Sequence, residues 1–289
     1  AALRQGRPGP VAVEIPIDAA LEEVAEESFY YRPSRRVGSS GDPRDVEAAA
    51  QAFCRARYPV IHAGQGALYA GASEELVELA ELLQVPVMTT LLGKSGFPET
   101  HPLALGSGSG VMSGPVYHYM GRSDVIFGIG CSFTKHGMCM NIPPGKTLIQ
   151  ATNDPGDINK DYNIDYPIVG DAKLVLRQMI DACRDIAGGS RQSDETVARE
   201  IKSEREAWLG QWVAKLTSSS DPINPYRVIW DLMQAIPPED AIVTHDSGSP
   251  RDQIVPFYRS SGPRSYLGWG KSHGLGTGLG LTIGAKLAK

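Results

Sequence analysis

An apolar, strand-like run, Val11–Ile15, lies near the start of the chain, and short apolar runs alternate with amphipathic stretches between residues 42 and 186. The pair Asp42-Pro43 is typical of a helix start, because the aspartate caps and the proline needs no hydrogen bond there. Apolar residues at helical spacing follow it. The same patterns predict strands over residues 59–63, 85–89, 124–129, 146–150 and 167–169. They predict further helices over residues 76–83 and 171–180. This alternation predicts an α/β fold, a Rossmann-like parallel sheet with helices on both faces.

A second, shorter pattern follows. Residues 187–195 contain no core residue and are typical of a linker, and residues 196–216 are charged and helical. Asn224-Pro225 is another helix start, and a strand is predicted over residues 241–244. Only one glycine turn and a few helices come after this strand. The pattern therefore predicts an incomplete second α/β domain.

Glycine turns follow several of the predicted strands. In open parallel sheets ligands bind at the carboxyl ends of the strands, where Gly64-Gln65-Gly66, Gly106–Gly110 and Gly128-Ile-Gly130 are placed. Each alone is equally typical of a tight turn. Together they favour a nucleotide cleft in the first domain, although the G-x-G-x-x-G fingerprint fails because Val111 replaces its third glycine.

Two glycine-containing segments also stand out in the second half. Asp246-Ser-Gly-Ser249 directly follows a predicted strand, so it is either a diphosphate-binding turn or a structural Asx turn. The segment Gly268–Gly280 has glycines at nearly alternate positions, which suggests close backbone approach to a ligand. A flexible linker is the alternative, but Trp269, Leu275 and Leu279 argue against it.

Composition narrows the functional classes. The chain has 289 residues, of which 42% are hydrophobic, and a net charge of −5, so a general nucleic-acid binder is not expected. No apolar run has the length of a membrane span, and the four cysteines contain no C-x-x-C pair. We therefore expect reduced thiols in a cytoplasmic protein without a membrane partner.

The remaining histidine, cysteine and lysine residues do not form a recognisable site motif. His62 is interpreted as a core histidine, and no histidine or cysteine spacing predicts a metal site. Lys94 lies in Gly93-Lys-Ser-Gly96, but no upstream glycine completes a phosphate-binding P-loop.

Several segments, in order along the chain, resemble thiamine-diphosphate-dependent enzymes of the acetolactate synthase and 2-oxo-acid decarboxylase superfamily. The matching segments are Gly9-Pro-Val-Ala-Val-Glu-Ile-Pro-Ile-Asp18, Tyr58-Pro-Val-Ile-His-Ala-Gly-Gln-Gly66, Val85-Pro-Val-Met-Thr-Thr90, Gly93-Lys-Ser-Gly-Phe-Pro-Glu-Thr-His-Pro102, Ser123-Asp-Val-Ile-Phe-Gly-Ile-Gly130, Asp246-Ser-Gly248 and His273–Lys286. Each is modest alone, but the combination is specific.

The resemblance implies a cofactor site. Asp246, Gly248 and Ser249 would lie near the diphosphate of thiamine diphosphate, and Gly274 and Gly276 would flank Leu275. Leu275 falls where the family places the bulky apolar residue that holds the cofactor bent. The first-domain cleft, with Gly64, Gln65, Gly66 and Gly130, binds FAD or ADP in some relatives and nothing in others. Cys131–His136 stands where FAD-binding members have an arginine-rich turn, so FAD is doubtful here.

The resemblance also implies domain limits. Residues 1–41 would be the tail of a pyrimidine-binding domain with a linker, 42–186 the central domain, 187–222 a linker with a helix, and 223–289 the beginning of the pyrophosphate-binding domain. The family's catalytic glutamate and its Mg²⁺-binding motif have no counterpart in these residues. We therefore expect part of a longer protein, inactive alone, and a homodimer or homotetramer acting on a 2-oxo acid when whole.

Two alternatives remain. One is a stand-alone Rossmann-type module that binds ADP, FAD or CoA. The other is one subunit of a split enzyme whose missing parts belong to another chain.

Overall fold

Six parallel strands form the main sheet of the protein, and two further parallel strands form a second one. The computed structural model describes residues 6–25, 32–33, 35, 37–137, 139–188, 195–268 and 274–289. The strands are β1 (Pro59–Ala63), β2 (Val87–Thr90), β3 (Ala104–Gly108), β4 (Val125–Ile129), β5 (Thr147–Thr152), β6 (Tyr166–Val169), β7 (Val243–Thr244) and β8 (Tyr266–Leu267). The main sheet has the order β3-β2-β1-β4-β5-β6, and β7 pairs with β8.

Helices connect these strands. The α-helices in the described ranges are α1 (Ile17–Ala20), α2 (Pro43–Arg55), α3 (Gln65–Ala70), α4 (Ser73–Leu83), α5 (Gly114–Arg122), α6 (Ala172–Ala187), α7 (Thr196–Gly210), α8 (Val213–Leu216), α9 (Pro225–Ala235), α10 (Ser249–Ile254) and α11 (Thr277–Ala288). None of them is both long enough and apolar enough to cross a membrane.

The predicted helix starts are confirmed. Asp42 caps α2 by accepting a hydrogen bond from the Arg44 amide, and Asn224 caps α9 in the same way. Asp171 caps α6 through the amides of Lys173 and Leu174. These side chains fix where the chain leaves a turn, because they pair backbone donors that have no partner within the helix.

Both faces of the main sheet are covered, as the alternation of strands and helices predicted. Alternate strand residues such as Ile61 and Phe127 pack with α2, α4 and α6 on one face. Their neighbours Val60 and Ile126 pack with α5 and α7 on the other. The strands are therefore buried on both sides, which explains their nearly continuous apolar sequences. The predicted α/β fold class is confirmed.

Two local predictions differ from the structure. Residues 106–108, interpreted as part of a phosphate-binding loop, belong to β3, which pairs with β2 at the edge of the sheet. The apolar run Val11–Ile15, which resembles a strand, is not one, because no neighbouring strand in the described chain pairs with it; its valines and isoleucine are exposed. Residues 189–194 of the predicted linker lie outside the described residues.

A third apolar cluster surrounds the small β7–β8 sheet. Its centre is aromatic, with Trp208 stacked on Phe257 at 4.8 Å between ring centroids and Trp212 against the edge of the same ring at 5.3 Å. Trp208 and Trp212, spaced i,i+4 on the charged helical stretch, thus bury one side of α7 and of the turn that follows it. Leu91, which follows β2 of the main sheet, also belongs to this cluster, so the two sheets share apolar contacts.

The Asp171 cap provides a test of this local structure. Replacing Asp171 by Ala is expected to lower the free energy of unfolding by about 1 kcal/mol, because two amides at the start of α6 lose their acceptor. Urea titrations would measure the change. Asp181→Ala, on the exposed side of the same helix, is the control and should change stability by less than about 0.5 kcal/mol. Equal effects of the two substitutions would contradict the capping role.

Candidate functional site

A cavity of about 420 Å³ lies at the carboxyl ends of β1, β4 and β5. The strand order reverses between β1 and β4, which is where open parallel sheets form ligand crevices. The cavity is lined by residues of the β1 and β4 turns and of the loop after β4, among them His62, Gln65, Cys131, Phe133, Met140 and Tyr162. The sequence predicted a cleft at this edge, and the structure places one there.

The glycines of this cleft have a packing role. The amides of Gly64 and Gly66 donate to the carbonyl oxygens of Ile129 and Gly130, at 2.8 and 2.9 Å, and the Gly130 amide donates to Ala151 at 2.8 Å. These three donors are committed to the turns themselves. They are therefore not available to a nucleotide diphosphate.

His62 is the unusual residue of the cavity. It is 5% exposed, and neither ring nitrogen has a hydrogen-bond partner among the described residues. Its ring stacks on Phe133 at 5.9 Å. Burial lowers the pKa of His62 to about 4, so the ring is neutral near pH 7. His62 is a buried histidine, as the sequence predicted, but no hydrogen bond among the described residues compensates for the burial of its ring nitrogens.

The buried neutral ring predicts a pH dependence. Between about pH 6.5 and pH 4 the unfolded chain protonates this histidine and the folded chain does not, so stability falls as the pH falls. The contribution lost is about 3 kcal/mol. Urea unfolding of the unchanged protein and of His62→Leu at several pH values measures this contribution. If the two proteins lost stability in parallel over this window, His62 would not be the neutral buried ring described here.

The cysteines of the cleft do not add a reactive centre. Burial raises the pKa of the Cys131 thiol to about 12, which keeps it protonated, and none of the four cysteines forms a disulfide bond. Within the described residues, no group of histidine, cysteine and carboxylate side chains is arranged to hold a metal ion.

The second candidate site begins where β7 ends. The Asp246 carboxylate accepts hydrogen bonds from the amides of Ser247 at 2.7 Å, Gly276 at 3.1 Å and Gly278 at 3.3 Å. These bonds, above all that from Ser247, hold the pKa of Asp246 below its usual value. One side chain thus joins the turn after β7 to the start of α11, although the two are thirty residues apart in sequence.

The joined segments form an open surface. Gly248 has φ +80° and ψ −143°, a backbone conformation that L-residues rarely adopt, and nothing lies within 4 Å of the position of an added Cβ. Ser249 begins α10, and Leu275, a residue that is 84% exposed, precedes α11. Gly278 packs closely on the backbone of His245 and Asp246. The structure therefore brings Asp246, Gly248, Ser249, Gly274, Leu275 and Gly276 into two adjoining turns.

Trp269 and His273 lie in residues 269–273, outside the described part of the chain. The sequence also missed what Asp246 does: its carboxylate is occupied by backbone amides, so it positions the two turns rather than presenting itself to a ligand. An aspartate directly after a strand was the available signal.

Comparisons with known proteins indicate which proteins this chain is similar to. Residues 46–179 match the family model described as "Thiamine pyrophosphate enzyme, central domain". The chain is 34% identical to a probable acetolactate synthase large subunit of Methanocaldococcus jannaschii and 33% identical to that of Methanococcus aeolicus, over 98% of its own length. The matches cover 49% and 50% of those proteins, so the chain spans about half the length of the curated relatives it matches.

A solved structure shows the same fold. Benzoylformate decarboxylase from Polynucleobacter necessarius superposes with a TM-score of 0.69 over 94% of this chain and 49% of that one, at 21% identity. At this identity the likeness concerns the fold alone. The family match spans the resemblance segments between Tyr58 and Gly130, and the curated matches span 98% of the chain. Residues 46–179 thus match the central domain of thiamine pyrophosphate enzymes, and nearly the whole chain is similar to about half of an acetolactate synthase large subunit.

Proposed function

We propose that this chain is part of a thiamine-diphosphate-dependent enzyme that acts on 2-oxo acids in the manner of acetolactate synthase. The observation that carries the proposal is the Asp246 carboxylate, which joins the turn after β7 to the glycine segment before α11. The names of the curated relatives support the substrate class. Carboligation is favoured over simple decarboxylation for the same reason.

The residues present fit one side of the cofactor. Gly248 leaves open space beside Ser249, where a diphosphate can approach the backbone, and Leu275 offers an exposed apolar side chain next to it. Thiamine diphosphate supplies the carbon nucleophile that adds to the 2-oxo acid and the ring that accepts the electrons released with CO₂. The role of these residues is to bind and orient it. The described residues offer no ligand set for the Mg²⁺ that accompanies the diphosphate.

The domain limits proposed for the chain follow the same family. Residues 1–41 are assigned to the end of a pyrimidine-binding domain and a linker, 42–186 to the central domain, 187–222 to a linker with helices, and 223–289 to the beginning of the pyrophosphate-binding domain. The working enzyme is proposed to be a cytoplasmic homodimer or homotetramer, with the remaining site residues supplied by parts of the protein not represented in this chain.

The test uses the protein isolated under native conditions from its source cell, with whatever chains accompany it. We expect bound thiamine diphosphate, measured by thiochrome fluorescence, and consumption of pyruvate or another 2-oxo acid that is lost when cofactor and Mg²⁺ are removed. The 289-residue chain alone is expected to show no carboligase activity. A native protein without cofactor or turnover would contradict the function, and activity of the chain alone would contradict its proposed dependence on other parts.

Gly248→Ala tests the diphosphate turn directly. The left-handed φ of Gly248 is unfavourable for alanine by about 1–3 kcal/mol, so the turn is expected to shift and cofactor retention to fall at least about tenfold. Gly262→Ala is the matched control, because it also has open space for a Cβ but needs no such φ. Equal cofactor retention in both variants would contradict the placement of the diphosphate.

One observation favours a second candidate function. The cavity beside His62 is large enough for a small ligand and contains two buried nitrogens without partners among the described residues. A nucleotide-binding module, acting alone or as one subunit of a split enzyme, would use this cavity. Binding of ADP, FAD or CoA by a native protein that holds no thiamine diphosphate would favour it.

A further inference from the structure

Lys94 is the residue that the rejected P-loop pattern left without a role. The structure buries it almost completely, with 1% of the residue exposed, and it buries Glu99 to 3%. Both lie in the connection between β2 and β3. Charged side chains are rarely buried to this extent unless they are paired and hydrogen-bonded, so this pair needs an explanation.

The pair is completely hydrogen-bonded. The Lys94 ammonium donates to Glu99 Oε2 at 2.5 Å, to the Tyr258 carbonyl oxygen at 2.8 Å and to that of Val255 at 3.4 Å. The second oxygen of the Glu99 carboxylate accepts from the Ser107 hydroxyl at 3.0 Å. All three ammonium hydrogens and both carboxylate oxygens therefore have partners.

These partners belong to two parts of the molecule. Ser107 lies in β3 of the main sheet, whereas Val255, Tyr258 and Ser260 lie between α10 and β8. Glu99 Oε2 accepts from both the amide and the hydroxyl of Ser260, at 2.8 and 3.0 Å, and the Glu99 amide donates to the Ser260 carbonyl at 2.8 Å. The ion pair thus joins the main sheet to the chain that leads into the second sheet.

The connection continues to the Asp246 turn. Ser95, next to Lys94, donates to the Tyr266 carbonyl oxygen in β8 at 3.4 Å. Gly268, directly after β8, lies between the Leu91 carbonyl and the His245 ring: an added Cβ would be 3.3 and 3.4 Å from them. His245 is followed by Asp246. The loop that carries Lys94 therefore contacts the end of β8 and, through Gly268, the residue before Asp246.

We infer that Lys94 and Glu99 are positioning residues for the proposed cofactor turn: their buried ion pair fixes β8, and through β8 the register of Asp246 against the glycine segment, relative to the main sheet. The inference rests on the proposed function, because that function makes the Asp246 turn a cofactor site. The experiment that tests it does not require the cofactor. Neither residue contacts the cofactor site, so both act through the strand end that they hold.

The experiment compares hydrogen–deuterium exchange of the full chain and of Lys94→Met/Glu99→Gln. The double substitution removes both charges together, so it avoids a buried unpaired ion and is expected to remain folded. Peptides covering residues 243–248 and 274–279 are expected to exchange at least tenfold faster. Peptides covering β1 and β4 should stay within twofold of the unchanged protein.

Two neutral substitutions are the matched pair if the double variant does not fold. Ser260→Ala removes a hydroxyl that binds Glu99 from the second part, and Ser107→Ala removes one that binds it from the main sheet. Ser260→Ala should raise exchange at residues 243–248 and 274–279 several-fold, and Ser107→Ala should not. If Lys94 and Glu99 only stabilised the fold, the substitutions would raise exchange throughout the protein, in proportion to the loss of stability.

Uniform acceleration, or no change at residues 243–248 and 274–279 in a folded variant, would overturn the inference. The exchange comparison needs no cofactor. A failure to retain thiamine diphosphate in the unchanged protein would count against the proposed function alone, and the exchange result would still decide the positioning role.

Discussion

Gly64→Ala is expected to prevent stable folding of the central domain. A Cβ at this position would lie 2.2 Å from the Gly130 carbonyl oxygen and 2.6 Å from Cys131 Cβ, and neither is the end of a flexible side chain that could move aside. The β1 and β4 turns would have to separate, breaking the bond from the Gly64 amide to Ile129. We expect a loss of more than about 3 kcal/mol in the free energy of unfolding, measured by urea titration.

Gly121→Ala is the matched control. Gly121 lies in α5, and nothing is within 4 Å of its added Cβ. Alanine has the higher helix propensity, so this substitution should raise stability by up to about 1 kcal/mol. A Gly64→Ala protein as stable as the unchanged one would show that the two turns are not in contact as described.

Glu99→Ala is expected to have a similarly large effect. It removes the acceptor of four hydrogen bonds and leaves the Lys94 ammonium buried without a counter-charge. Burial already lowers the pKa of Lys94, and Glu99 opposes that shift. Breaking such a pair from one side costs about 3–5 kcal/mol, again measurable by urea unfolding.

Glu81→Ala is the control, because it removes a carboxylate that is not buried. Glu81 pairs with His101 at 3.2 Å, but its side chain is 58% exposed. Removing it should change stability by less than about 1 kcal/mol. If Glu99→Ala were as mild as Glu81→Ala, the buried pair would not hold the two parts of the molecule together.

Most of the main sheet could be predicted from the sequence, because its strands are short apolar runs bounded by glycine and by helix caps. β3 could not. Its sequence, Ala104–Gly108, contains two glycines and a serine and has low strand propensity, so only pairing with β2 makes it a strand. The opposite error at Val11–Ile15 has the same cause: strand propensity without a paired neighbour does not make a strand.

The residues of the candidate site could be predicted from the sequence, but the hydrogen bonds that join its segments could not. Local sequence indicated the turn at Asp246 and the glycine segment at Gly274–Gly276. It could not show that the Asp246 carboxylate joins them. The partners of Lys94 in the second part of the molecule, Val255 and Tyr258, are more than 160 residues away in sequence. Such contacts depend on tertiary packing, which no local pattern encodes.

The turns held by Asp246 are proposed to form the diphosphate side of a thiamine diphosphate site. The most direct measurement is hydrogen–deuterium exchange of the natively isolated protein with and without thiamine diphosphate and Mg²⁺. Slower exchange is expected at residues 246–249 and 274–278 when the cofactor is present. Unchanged exchange at both segments, or protection confined to residues 62–66 and 130–134 around the central cavity, would contradict it.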